Sequence, residues 1–128
     1  MISKTIIIKL ITMYSLAYNI DPKVALAVCE VESGFNINAI GITKDLGLFQ
    51  LNPKSFPQYS KKQLLDPITN IELDIKYLAQ MKKECKYKDN LDWLLCYNMG
   101  MKNAKKVKYP KLWPYTKRVT KLVMNERF

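Results

Sequence analysis

Hydrophobic residues recur at helical spacing through most of the chain, and strand-like alternation is rare. Near the N-terminus, the apolar positions 7, 10, 11 and 14 define one face of a first amphipathic helix. The next apolar run, 24–29, contains no polar position, as is typical of a helix that is buried on all sides. We therefore predict a central helix at about residues 22–33, capped by Asp21 and ended by Gly34.

The second half of the chain is also predicted to be helical. The clearest helix opens at Asp66-Pro67 and runs to about Cys85, with isoleucines at 68, 71 and 75 on its apolar face. Asn90 is expected to cap a further helix over residues 91–99, and Pro114 is expected to start the last one.

A turn-rich segment separates these helices from the central one. It contains Gly41 and Gly47 among mixed polar and apolar residues, which predicts a small irregular or hairpin element near residues 38–52. The chain has no repeat, linker or low-complexity stretch. The expected fold class is therefore mainly α, in a single compact domain over residues 1–128.

The positive charge is concentrated in the C-terminal part. The chain carries 21 basic and 11 acidic residues, a net charge of +10. Residues 1–75 contain 7 basic and 7 acidic residues, whereas residues 76–128 contain 14 basic and 4 acidic residues. Such a basic half favours an anionic partner (nucleic acid, anionic lipid or a polyanionic cell wall), although a lysine-rich surface can serve solubility alone.

The apolar run near the N-terminus is not typical of an export signal. Lys9 interrupts it, and no small-x-small cleavage site follows, so we expect no export signal. No segment approaches the length that crosses a membrane, so no transmembrane segment is expected.

The sequence lacks histidine and has three cysteines, Cys29, Cys85 and Cys96. The missing histidine excludes catalysis by Ser-His or Cys-His machinery. An odd number of cysteines without paired spacing indicates neither a disulfide framework nor a zinc site, and it leaves open whether Cys85 or Cys96 is bonded. We expect no metal and no organic cofactor.

Glu32 is the acidic residue that the hydrophobic pattern singles out. In a helix, Ala25, Val28 and Cys29 lie on the side of Glu32, whereas Glu30 points roughly the other way. A carboxyl on an apolar wall has a raised pKa because burial penalises its charged form, and it can then act as a general acid near neutral pH. A Glu in the last turn of a helix is more often solvated, so its neighbours decide between the two interpretations.

Four short motifs follow one another along the chain. They are ESGFN from Glu32, GLFQLNP from Gly47, CYNMG from Cys96, and a tyrosine, Tyr115, at the start of the last helix. Together they resemble the lysozyme-like lytic transglycosylase domain of soluble lytic transglycosylases and goose-type lysozymes, whose usual motifs read ES, GLMQ, AYNAG and a late Tyr. Phe49 replaces the usual Met and Cys96 the usual Ala, both apolar exchanges that should leave the groove intact.

The resemblance covers nearly the whole chain and implies a lysozyme-like α+β fold. It also implies cleavage of the β-1,4 bond between N-acetylmuramic acid and N-acetylglucosamine in peptidoglycan, with Glu32 as the catalytic acid. The residues expected to orient Glu32 or to bind the sugar are Ser33, Gln50, Tyr97, Asn98 and Tyr115. Two of these have ordinary alternatives, since Tyr97 could be a core aromatic and Gln50 could tie down its own loop.

Asp45 adds a second possibility. The string DLGLFQLN, which starts at Asp45, also looks like the D-x-G-x-x-Q-x-N segment of animal-type lysozymes and of transglycosylases that accompany type IV secretion systems. In the lysozymes, this Asp is the second catalytic carboxylate. A carboxyl separation of about 5–5.5 Å would suit a retaining hydrolase, and one of about 6.5–9.5 Å an inverting one. If Asp45 is not catalytic, Glu32 acts alone, and the resemblance implies that the muramic acid 6-hydroxyl attacks to give a 1,6-anhydro product.

The expected role is that of a monomeric phage endolysin, made in the host cytoplasm, released to the periplasm or cell wall, and acting on glycan strands. Its basic half would then bind the anionic envelope. Two alternatives lie outside this class: a catalytically silent wall-binding domain, and a basic protein that binds membrane or nucleic acid. Trp93 and Trp113 are too few and too scattered for a stacking platform, so we expect no nucleic-acid partner.

Overall fold

The computed structural model describes residues 2–125 and residue 128. The described part is mainly helical, and the predicted mainly α fold class is confirmed. Two short 3-10 helices lie at Pro53–Ser55 and Pro110–Leu112. The α-helices are α1 (Lys4–Ala17), α2 (Pro22–Ser33), α3 (Lys61–Leu65), α4 (Pro67–Glu84), α5 (Leu94–Met99), α6 (Met101–Ala104) and α7 (Pro114–Asn125).

Helix α2 lies at the centre of the fold. Every residue from Val24 to Cys29 is buried, and the helix packs against both α1 and α7. The side chain of Asp21 accepts a hydrogen bond from the backbone N–H of Lys23, and Gly34 ends the helix in the left-handed conformation. The predicted central helix and both of its ends are therefore confirmed.

Helix α4 is the longest helix and packs against α1, α3 and α5. Its predicted apolar face is buried at Ile71 and Ile75, whereas Ile68 is 49% exposed. Two polar residues, Asn70 and Asp74, are buried on this same helix. Both contact the region that forms the candidate site.

The segment near residues 38–52 is irregular, as predicted. Its only regular pairing in the described residues consists of isolated antiparallel bridges that Leu46 forms with Ile40 and Leu51. Asn70 ties the segment to α4: its Nδ2 donates to the carbonyl of Leu46 at 2.9 Å, and its Oδ1 accepts from the N–H of Phe49 at 2.9 Å. A β-carbon at Gly47 would lie 2.5 Å from Asn70 Nδ2, so this close approach requires glycine.

Helix α5 begins later than predicted. It starts at Leu94, and Asn90 is not its cap. Asn90 has a φ of 47°, in the left-handed region, whereas an N-cap residue has an extended backbone. The residues that follow form turns in which the N–H groups of Asp92, Leu94 and Leu95 bond to the carbonyl three positions earlier. Such turns are tighter than an α-helix, which explains the late start.

A disulfide joins Cys85, at the end of α4, to Cys96 in α5. The cysteine count and spacing indicated no disulfide framework, and this bond corrects that interpretation. The two helices pack against each other, and this packing brings the two sulfurs together. Cys29 is the free and buried cysteine of α2. No helix in the described part of the chain is long and apolar enough to cross a membrane.

We expect Cys85→Ser to lower the free energy of unfolding by about 2–3 kcal/mol. The bond closes a loop with a sequence separation of 11, and its loss frees the unfolded chain. Denaturant unfolding of the wild type and the variant measures the difference. A reducing agent should destabilise the wild type and leave Cys85→Ser unchanged; an equal effect on both would contradict the prediction.

Candidate active site

An open cleft of about 700 Å³ collects most of the residues that the motifs single out. Its walls come from the end of α2, the irregular segment, α4 and α5. The lining includes three carboxyl groups, those of Glu32, Asp45 and Asp74. Three other predicted site residues also line the cleft: Gln50, Tyr97 and Asn98.

Glu32 lies in the last turn of α2 and is partly buried. The hydroxyl of Tyr115, at the start of α7, donates a hydrogen bond of 2.8 Å to Glu32 Oε2. Burial raises the pKa of Glu32 from 4.5 to about 7, and the charge of Asp45 adds to the rise. The Tyr115 hydrogen bond and the positive charge of Arg118 oppose it. Glu32 can therefore hold or release a proton near neutral pH.

Three tyrosine rings lie in a row beside Glu32. The centroids of Tyr77 and Tyr97 are 5.5 Å apart, and those of Tyr97 and Tyr115 are 6.4 Å apart. The hydroxyl of Tyr97 is 2.8 Å from Asp74 Oδ1 and 2.9 Å from Oδ2. The middle ring of this row, Tyr97, and one end ring, Tyr115, are thus hydrogen-bonded to carboxyl groups that line the cleft.

Asp45 lies in the irregular segment, on the wall of the same cleft. Its Oδ2 accepts a hydrogen bond of 2.9 Å from the hydroxyl of Thr43. Its Oδ1 is buried and has no hydrogen-bond partner among the described residues. One oxygen of Asp45 is thus held by a hydrogen bond, and the other has no such partner among the described residues.

The remaining predicted site residues differ in what they contact. Gln50 donates from Nε2 to the carbonyls of Ala39 and Gly47, so its amide also holds its own loop together. Asn98 is exposed and accepts a 3.1 Å hydrogen bond from the indole N–H of Trp113.

Ser33 makes its contact within α2. Its hydroxyl donates to the Cys29 carbonyl of the same helix at 3.4 Å, and its side chain is not part of the cleft lining. The predicted role of Ser33 in orienting Glu32 or the sugar stays a prediction.

Asp74 is the site residue that the sequence analysis missed. It lies three positions after Ile71 and four positions before Leu78, both of which are fully buried. A charged residue inside an apolar helical stripe is unusual, and this signal could have identified it. The described residues contain no group of three or more His, Cys, Asp or Glu that could hold a metal ion.

The order of these residues along the chain agrees with a known family. The model of the transglycosylase SLT domain matches residues 9–116, which includes α2, the irregular segment, α4, α5 and Tyr115. The chain belongs to the transglycosylase SLT domain family. In this SLT domain, the matched region contains all three carboxyl groups of the cleft.

Curated relatives of this SLT domain are named as lytic murein transglycosylases. The chain is 32% identical over 87 residues to membrane-bound lytic murein transglycosylase E of Buchnera aphidicola subsp. Baizongia pistaciae, covering 59% of this chain and 41% of the relative. It is 32% identical over 88 residues to membrane-bound lytic murein transglycosylase C of Mannheimia succiniciproducens, covering 60% and 25%. A transglycosylase C of Actinobacillus succinogenes is 28% identical over 109 residues, covering 77% and 27%. The SLT domain thus spans less than half the length of these relatives.

Proposed function

We propose that this SLT domain is a peptidoglycan lytic transglycosylase that cuts the β-1,4 bond between N-acetylmuramic acid and N-acetylglucosamine, with Glu32 as its acid and base. The observation that carries the proposal is Glu32 itself: a carboxyl on the wall of an open cleft, with a pKa of about 7 and one oxygen held by Tyr115. Membership of the SLT family and the names of the relatives support the same activity.

The chemistry needs one proton donor that later becomes a proton acceptor. Protonated Glu32 gives its proton to the glycosidic oxygen as the bond from C1 to that oxygen breaks. The Glu32 carboxylate then takes the proton of the muramic acid 6-hydroxyl as that oxygen bonds to C1. The product is a 1,6-anhydro sugar, no water is consumed, and Glu32 returns to its protonated form. A pKa of about 7 suits both halves of this cycle at neutral pH.

Mass spectrometry of the fragments released from purified peptidoglycan tests this proposal. We expect muropeptides that end in 1,6-anhydro-N-acetylmuramic acid, each lighter by one water than the reducing product. Reducing ends alone would refute the transglycosylase and favour a hydrolysing lysozyme. Absence of any released fragment would favour a domain that binds the wall without cutting it.

A hydrolysing lysozyme is the second candidate function, because Asp45 shares the cleft with Glu32. In such an enzyme, the Asp45 carboxylate on the wall of the cleft would stabilise a sugar cation or orient an attacking water. The Thr43 hydrogen bond on the other oxygen suits the alternative, in which Asp45 mainly shapes its turn. One variant separates the two roles.

We expect Asp45→Asn to keep its kcat at acid pH within about threefold of the wild type, a change of less than about 1 kcal/mol in the barrier. The negative charge of Asp45 raises the pKa of Glu32, so its removal lowers that pKa. The high-pH limb of the activity profile should then move toward lower pH. A loss of a hundredfold or more across the whole profile would instead make Asp45 a second catalytic carboxylate. Rates of peptidoglycan clearing from pH 4 to 9 measure both outcomes.

The basic C-terminal part supports binding to the anionic cell envelope. Exposed lysines cluster between α6 and α7, beside the exposed Leu112 and Trp113; they are Lys105, Lys106, Lys108 and Lys111. We expect the double variant Lys105→Glu/Lys106→Glu to bind purified walls about tenfold more weakly at low salt, with the difference shrinking as salt rises. The matched control is Lys61→Glu/Lys62→Glu, two exposed lysines of α3. Equal losses in both variants would contradict a specific role for the C-terminal cluster.

We also propose that the protein is a phage endolysin, released by a holin and acting as a monomer. Its support is the combination of a wall-cutting family with a net charge of +10. Expression in a bacterial cytoplasm, with and without a co-expressed holin, tests it. An endolysin should clear the culture only with the holin; clearing without the holin would argue against this setting. Sedimentation of the purified chain tests the monomeric state.

A further inference from the structure

Asp74 is a buried carboxyl group that the proposed mechanism does not use. It is 2% exposed and lies between Ile71 and Leu78 on the buried face of α4. Burying a carboxyl in such a place carries a desolvation cost, and a hydrophobic residue of similar shape is often neutral or stabilising there. A costly group at a good packing position indicates a role other than stability.

The contacts of Asp74 indicate what that role is. Both of its oxygens lie within 2.9 Å of the Tyr97 hydroxyl, and both residues line the cleft that contains Glu32. Burial raises the pKa of Asp74 well above its usual range, and the Tyr97 hydrogen bond opposes that rise. Tyr97 is therefore the partner that compensates for the burial of Asp74.

Tyr97 is held at two points. Its ring lies between those of Tyr77 and Tyr115, and its hydroxyl is held by Asp74. The phenol oxygen therefore has one fixed position, and Tyr97 forms part of the wall of the cleft. A polar group fixed in advance binds a ligand with less loss of conformational entropy than a mobile one.

We propose that Asp74 is a positioning residue that fixes the Tyr97 hydroxyl as the hydrogen-bond partner of an acetamido group of the glycan. This inference rests on the proposed function and names the substrate feature that the site recognises. Because the Tyr97 hydroxyl donates its proton to Asp74, its oxygen can accept from the acetamido N–H, a hydrogen bond that an analogue without this group does not make. The cleft therefore prefers N-acetylated sugars through Asp74, a residue that need not touch the sugar.

Binding in a Glu32→Gln background tests the role of Asp74 without dependence on turnover. The probes are an oligomer of N-acetylglucosamine and a cello-oligosaccharide of the same length, which has the same β-1,4 linkage and no acetamido group. Calorimetry should show that Asp74→Leu weakens binding of the acetylated oligomer by about three- to tenfold, the value of one neutral hydrogen bond. Binding of the cello-oligosaccharide should not change.

Two further variants distinguish positioning from a structural role. Asp74→Asn keeps an acceptor oxygen for Tyr97 and should recover most of the affinity. Tyr97→Phe should lose as much as Asp74→Leu, and the double variant should lose no more, since the two residues act as one unit. The unfolding midpoint of Asp74→Leu should equal or exceed that of the parent. If Asp74→Leu fails to fold, Tyr97→Phe and Asp74→Asn provide the same comparison between the two probes.

Equal losses for both oligomers, or no loss for the acetylated one, would overturn the inference. Additive losses in the double variant would overturn it too. The proposed function is tested separately, by measuring cleavage of purified walls by the wild-type chain. Binding that depends on the acetamido group, without cleavage, would refute the proposed function alone. Cleavage by a protein whose affinity for the acetylated oligomer does not depend on Asp74 would refute this inference alone.

Discussion

Glu32→Gln is expected to lower the rate of peptidoglycan cleavage by at least about a hundredfold. General acid catalysis contributes about 10²- to 10⁴-fold, and glutamine has no proton to give to the leaving oxygen. The substitution keeps an oxygen that can accept the 2.8 Å hydrogen bond from Tyr115, so the geometry of the cleft should persist. Turbidity clearing of purified walls, followed at several pH values, measures the loss.

The matched control is Glu30→Gln, two positions earlier on α2. It removes the same charge from the same helix, but Glu30 does not line the cleft. We expect it to retain nearly all activity. If Glu32→Gln still cleared walls at the wild-type rate, or if Glu30→Gln lost as much, Glu32 would not be the acid.

Glu32→Gln should also be more stable than the wild type at high pH. Glu32 has a folded-state pKa of about 7, above its ordinary 4.5, so the native state binds more protons than the unfolded state between these values. Its contribution to stability is thus fully present below about pH 4.5 and is lost as pH rises to about 7. At pH 8, Glu32→Gln should exceed the wild type by about 1–3 kcal/mol in unfolding free energy, and at pH 4 the difference should vanish.

Asn70→Ala is expected to be the most destabilising single change at the site, at about 3–5 kcal/mol. The side chain is fully buried and makes three hydrogen bonds, with the N–H of Phe49 and the carbonyls of Leu46 and Leu64. Alanine would remove the Asn70 partner of the Phe49 N–H and of the Leu64 carbonyl, at about 1–3 kcal/mol for each unsatisfied group. The Leu46 carbonyl would keep its hydrogen bond from the N–H of Leu51. Denaturant unfolding of the purified chain measures the effect.

Asp45 and Gln50 line the cleft from the irregular segment that Asn70 anchors. Loss of Asn70 should therefore also make this segment mobile. Glycan affinity is therefore expected to fall together with stability. Asn103→Ala is the control, because Asn103 is exposed and its side chain donates one hydrogen bond within its own helical region. It should change the unfolding free energy by less than about 0.5 kcal/mol. A comparable loss in both variants would mean that Asn70 does not anchor the segment.

The parts of the fold that the sequence predicted correctly depend on neighbours along the chain. Periodicity and capping residues are local, so the bounds of α2 and the start of α4 could be predicted. The motif resemblance added what local patterns lack, since it placed Glu32 and Tyr115 in one groove although 83 positions separate them. The structure gives this pair a direct hydrogen bond.

The features that escaped prediction depend on contacts between distant positions. The Cys85–Cys96 bond follows from the packing of α4 on α5, which an odd cysteine count does not reveal. The partner of Asp74 lies 23 positions away, so the hydrophobic stripe could mark the residue as unusual without naming Tyr97. The late start of α5 has a local cause, the left-handed backbone of Asn90, but asparagine is compatible with both an N-cap and this conformation.

The contact between Asn98 and Trp113 makes the fluorescence of Trp113 an intrinsic probe of the cleft. Trp93 is 4% exposed in the core, whereas Trp113 is 36% exposed and donates its indole N–H to an oxygen of the cleft lining. A glycan that takes this oxygen of Asn98 as its acceptor would release the indole to solvent and change its fluorescence, while the emission of Trp93 stays constant. Occupancy of the cleft can then be followed by intrinsic fluorescence, with no label attached to the protein or the sugar.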